Sequence, residues 1–116
     1  LRLLLLGLPL VLGAADTAGH AWFETHVRPI LHEHCLECHS TAKKVKGGLA
    51  LDARAAWEKG GDAGPAIIPG KPDESLLIKA VSWADLDLQM PPKYKLAERD
   101  QAVLAEWIRR GAPDPR

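Results

Sequence analysis

The chain has 116 residues, room for one domain rather than two. Its 15 Lys and Arg balance 15 Asp and Glu, so it lacks the basic footprint of a nucleic-acid binder. Apolar residues at 47% and charged residues at 26% exclude wholesale disorder, and two cysteines are too few for a scaffold built on disulfides.

Residues 1–13, LRLLLLGLPLVLG, carry 11 mostly apolar residues behind Arg2. A bilayer span needs about 20. The stretch instead resembles the apolar core of a secretory signal peptide, followed by small residues suited to a signal peptidase. Cleavage after Ala15 is the first choice and after Ala21 the second. Export to a periplasmic or cell-envelope compartment follows, and it would leave two cysteines in oxidising surroundings.

Phe23, Val27, Ile30, Leu31 and Cys35 then form one helical stripe. Pro29 within it predicts either a kink or a helix start near Thr25. STAKKVKGG reads as a loop, Leu49 and Leu51 alternate briefly, and Asp52 is the expected N-cap of a short helix reaching Glu58. Residues 60–72 hold seven Gly or Pro in thirteen positions, too many for regular structure. Asp73 is the expected cap of a helix over roughly 74–83, and a polar loop follows with the only methionine, Met90. The last helix is expected over about 98–110, with Leu104, Trp107 and Ile108 on its apolar side and Gly111 as its stop. With no convincing strand pair, the fold class is all-α with long loops. Ten Gly and nine Pro make so small a core weak, and such a core needs a staple or a cofactor.

Cys35-Leu36-Glu37-Cys38-His39 supplies one. Two cysteines three apart with a histidine directly after form the attachment pattern of a c-type haem. On one helical turn both sulfurs and the imidazole would share a face. The thiols would form thioethers with the porphyrin, and His39 would be the proximal iron ligand. Phe23, Leu31, Ile67, Ile68, Leu76 and Leu77 are the candidates to pack on the haem. Competing readings are a redox dithiol, half of a zinc site completed by His32 or His34, and a plain disulfide. The first lacks a βαβ context, and the second lacks a further CxxC or HxxxH.

Met90 is the candidate sixth ligand, in Gln89-Met90-Pro91-Pro92, where two prolines stiffen the loop. Its alternative role is to fill a gap in the core. His32 and His34 lie close before the first cysteine and read as surface residues, as do His20 and His26. The second nitrogen of His39 needs a carbonyl acceptor, for which Gly64-Pro65 and Pro69-Gly70 are candidates and Pro65 is preferred. Trp57, Trp83 and Tyr94 either close the pocket or pack. Lys43, Lys44 and Lys46, with Lys93 and Lys95, are solvated loop faces or a surface that steers an acidic redox partner.

Beyond this motif, Phe23…Val27-Arg28-Pro29-Ile30-Leu31, Gly47-Gly48-Leu49-x-Leu51-Asp52 and Gly60-Gly61-Asp62-x-Gly64-Pro65-Ala66-Ile67-Ile68-Pro69-Gly70 resemble the planctomycete-type cytochrome c domain. Glu74-Ser75-Leu76-Leu77, Met90-Pro91-Pro92 and Trp107-Ile108-x-x-Gly111-Ala112-Pro113 extend the resemblance from about residue 22 to residue 116. It implies a class I cytochrome c-like domain over 22–116, with one covalent haem c, His39 and Met90 as axial ligands, and electron transfer rather than enzyme activity. One departure is Ala97, where the family usually has a Ser or Thr cap. Relatives often carry this domain at the N-terminus of longer exported proteins, so the partner is a separate redox protein or a C-terminal domain of the same polypeptide. Two other functions compete: a haem domain with a labile sixth ligand, acting as a sensor or peroxidase-like centre, and a zinc or disulfide binding module.

Overall fold

The computed structural model describes Gly7 and residues 14–116. Most of the expected leader, residues 1–6 and 8–13, lies outside the described residues. Five α-helices carry the fold: α1 (Ala14–Trp22), α2 (Arg28–His34), α3 (Arg54–Glu58), α4 (Leu76–Ser82) and α5 (Glu98–Arg109). A π-helical turn at Phe23–Val27, short 3-10 turns at Lys46–Gly48 and Pro72–Glu74, and two isolated β-bridges, with no named strand, complete the regular structure of the described residues. The all-α class with long loops is what the structure shows. None of the described helices is long and apolar enough to cross a membrane.

α1 and α2 are joined by a π-helical turn, Phe23–Val27, with αR backbone at both of its flanking residues. The Arg28 amide donates to the Phe23 carbonyl, five residues back. Pro29 has no amide hydrogen and crowds the carbonyl four residues before it. The wider turn just upstream accommodates that defect, and Pro29 sits in the first turn of α2, which starts at Arg28 rather than near Thr25. The expected stripe is kept: Phe23, Val27 and Leu31 are fully buried and Ile30 and Cys35 nearly so.

Two expected caps belong to other residues. Asp52 turns away from α3, and its Oδ2 accepts from the Thr41 amide at 3.0 Å and from the Thr41 hydroxyl. Ala53 is the N-cap residue of α3 and makes no side-chain cap bond. Asp73 falls inside the 3-10 turn, and Ser75 precedes α4 instead. The buried Ser75 hydroxyl donates to the Lys71 carbonyl and accepts from the Ile68 amide, which fastens the Gly/Pro-rich loop to the start of α4.

At the other end of the chain, α5 starts at Glu98 although Ala97 offers no side-chain cap; Glu98 and Asp100 place negative charge in its first turn. It stops in a Schellman motif. The Gly111 amide donates to Ile108 O and the Ala112 amide to Trp107 O, with Gly111 at φ +93°. Trp107 packs against Phe23 at 5.6 Å and Trp57 at 6.1 Å between ring centroids, so three elements meet at one aromatic cluster.

Residues 113–116 close over that cluster. Asp114 is buried; it accepts from Trp57 Nε1 at 2.9 Å and from the Arg116 guanidinium at 2.8 and 3.0 Å. Burial alone would raise its carboxyl, but hydrogen bonds from Arg116 and Trp57 outweigh burial and hold it below the usual carboxylate range. A carboxylate depressed in the folded state stabilises the fold above its unfolded value of about 4, and that contribution is lost as pH falls through the folded value. Asp114→Asn is therefore expected to cost about 2 kcal/mol at pH 7, on the order of 8 °C in Tm. The difference from the parent should shrink as pH is lowered below about 4. Thermal melts of both proteins across that range check it; a gap unchanged at low pH contradicts it.

Candidate functional site: an apolar cavity behind CxxCH

The end of α2 and the turn after it present the motif. Helical geometry stops at His34, so Cys35–Cys38 is a tight turn and not part of the helix as the sequence suggested. The spacing still works, because the Cys38 and His39 amides both donate back to the Cys35 carbonyl, at 3.3 and 3.0 Å. Neighbouring backbone then pins the turn. Cys38 O accepts from Lys46 N at 2.9 Å, and His39 O from Leu51 N at 2.8 Å.

Cys35, Cys38 and His39 all line a cavity of about 390 Å³, within the range of cofactor sites. Its other walls are largely aliphatic and come from Leu49 and Leu51, from Leu77 and Val81 on α4, and from Pro91 and Pro92. Leu76 and Leu77 are the two expected packing residues that reach it. Phe23 and Leu31 lie in the core instead, Phe23 against Trp107, and Ile67 is buried without lining the cavity. Gly47 and Gly61 also form part of the wall. A Cβ on Gly61 would sit 2.8 Å from the Gly47 carbonyl oxygen, so no larger residue fits there without moving backbone.

The two thiols are not bridged to each other. Burial pushes the Cys35 thiol up to about 12, so it is a neutral sulfur in an apolar wall. His39 Nδ1 lies 3.2 Å from the Leu49 carbonyl oxygen. A carbonyl can only accept, so Nδ1–H donates, and Nε2 keeps its lone pair for coordination. This corrects the expected acceptor. Pro65 is exposed beyond the Gly60–Gly64 turn, whereas the loop after the motif folds back and brings Leu49 to the imidazole.

Met90 lines the same cavity and is half-exposed. Its backbone is held on both sides. The Met90 amide donates to Ala80 O, near the end of α4, at 3.0 Å, and Met90 O accepts from Trp83 Nε1 at 3.3 Å. Trp83 is thus a backbone anchor for Met90, while Trp57 belongs to the Asp114 cluster. His20, His26 and His32 do not line the cavity. His34 does; its side chain is only 17% exposed and its Nδ1 meets Tyr94 Oη at 2.7 Å, so it is not the surface residue expected from sequence. Lys46 stands at the rim, and Lys43 pairs with Glu37 at 3.3 Å. Among the described residues no cluster of three or more His, Cys, Asp or Glu could hold a metal ion, so a closed zinc shell finds no set of donors there.

Two unbridged thiols, an imidazole with one nitrogen committed and the other available, and aliphatic walls fit a covalently attached haem. They define a small helical domain built around one cofactor cavity. The family model for planctomycete cytochrome C matches residues 35–94, more than half of the chain, and the chain belongs to that family. The match runs from the first motif cysteine through Met90 to Tyr94; the resembling segments around Phe23 and Trp107 fall outside it. Membership implies haem-based electron transfer with covalent haem c as cofactor and a redox partner. No curated protein and no solved structure matches the chain.

Proposed function

We propose that this chain is a single-haem electron carrier with His39 and Met90 as its axial iron ligands. Haem would be held through thioethers at Cys35 and Cys38, and it supplies one-electron chemistry at iron when bound. The observation that carries this reading is that both cysteines, His39 and Met90 line one cavity while His39 Nδ1 is committed to Leu49 O. Each side chain then has a separate task. The Leu49 carbonyl fixes the imidazole ring and raises its basicity. The Ala80 carbonyl and the Trp83 indole hold the Met90 backbone. The aliphatic wall excludes water, and a Met ligand raises the potential relative to a second His. His39 and Met90 would together hold the iron and leave it no open position for a substrate, which would make the chain a carrier and not an enzyme.

In the same reading, residues 1–15 are a leader and the domain works outside the cytoplasm. Its partner is an acidic redox protein meeting Lys44, Lys46, Lys93 and Lys95, or a further domain of the same polypeptide. The half-exposed Met90 favours one alternative, a labile sixth ligand and a sensor or peroxidase-like centre. Potentiometry with optical detection separates the two. The carrier should show one reversible one-electron step, with the same ligands spectroscopically visible in both oxidation states. Loss of the methionine signature on reduction would favour the alternative.

A further inference from the structure

We propose that the hydrogen bond between His34 and Tyr94 is a latch that keeps Met90 seated at the cavity. The inference rests on the reading of Met90 as an axial ligand, and it concerns what holds that ligand in place. Met90 is followed by a strap, residues 91–95, that leads to the buried Leu96 at the start of the α5 region. Among the described residues the strap makes one hydrogen bond, Tyr94 Oη to His34 Nδ1 at 2.7 Å. Pro91 and Pro92 have no amide hydrogen to give, and Pro92 through Lys95 are exposed. Upstream of Met90 the backbone is anchored to α4 by Ala80 and Trp83. Downstream, among the described residues, this is the one hydrogen bond that tethers the strap before Leu96.

Its other end is well placed. His34 is the last residue of α2, directly before Cys35, and it lines the cavity itself. The bond therefore joins the segment that carries the proposed haem attachment to the segment that carries the proposed sixth ligand, 60 residues apart in sequence. The two rings also meet nearly edge-to-face, with centroids 5.6 Å apart at 65°. That contact adds to the hydrogen bond of a half-exposed Tyr94 and orients its ring. Carbon monoxide can reach ferrous iron only while methionine is off, so its observed binding rate reports the fraction of time the strap is open. His34 and Tyr94 are positioning residues in this scheme, since neither needs to touch iron.

The test uses the holoprotein and Tyr94→Phe, His34→Ala and the double variant, with Asp114→Asn as a control that lowers stability away from the strap. Tyr94→Phe should bind carbon monoxide roughly five- to tenfold faster than the parent, the loss expected for one hydrogen bond. The weak ferric sulfur-to-iron band should diminish in parallel. His34→Ala should do the same, and the double variant should go no further than the larger single effect. Asp114→Asn should melt earlier with its carbon monoxide rate unchanged. If the parent keeps the sulfur-to-iron band while Tyr94→Phe stays within twofold of its rate, the latch is refuted and methionine ligation stands. If the parent lacks the band and already binds carbon monoxide rapidly, both the ligand and the latch are refuted.

Discussion

Met90→Ala should remove the ferric sulfur-to-iron band and speed carbon monoxide binding to the ferrous protein on the order of a hundredfold. This variant should give the largest change in ligand reactivity, because it deletes the proposed ligand and leaves its supports in place. Ala at this position keeps the amide that bonds Ala80 O and the carbonyl that receives the Trp83 indole N–H. The loop should keep its path, and the change should appear at the iron, with a lower potential and an unchanged helical content. Optical spectroscopy and flash photolysis of the purified holoprotein check it. A variant with the parent's band and rate would show that another group occupies the position.

Replacing both Cys35 and Cys38 by Ala should have the largest effect on the fold. Cys35 is itself part of the buried cluster with Phe23, Val27 and Leu31, and it also lines the cavity with its aliphatic walls. A small domain rich in loops buries only a modest share of its surface in its own core. Without thioether bonds the cofactor can dissociate, and the walls supplied by Leu49, Leu51, Leu77 and Val81 would then meet water. The expected result is a polypeptide with no covalent haem on a denaturing gel and little resistance to protease. A double variant as protease-resistant as the parent would mean that the core does not depend on the cofactor.

Much of the site is legible in the sequence because its chemistry depends on residue types at fixed spacing. Cys35, Cys38 and His39 can be read directly, and Met90 stands out as the only methionine, between a polar loop and two prolines. Periodicity likewise carries the Phe23–Cys35 stripe and α5. The partner of His39 is not legible for a physical reason: every residue has a carbonyl, so no side chain marks Leu49 as the acceptor rather than Pro65 in the Gly/Pro-rich loop. Asp52 and Asp73 suit a cap by residue type, but a carboxylate can equally bind another donor, and for Asp52 that donor is Thr41. The His34–Tyr94 bond and the Trp57–Asp114 bond join residues 60 and 57 positions apart, and pairing at such range leaves no periodic trace.

The Cys35–His39 segment bears most directly on the whole account, and mass spectrometry of the peptide that contains it, from the purified native protein, is the decisive measurement. The peptide should be heavier by one haem, with neither cysteine open to alkylation. Two unmodified thiols at positions 35 and 38 would contradict the covalent centre on which the proposed carrier, its Met90 ligand and the latch all depend.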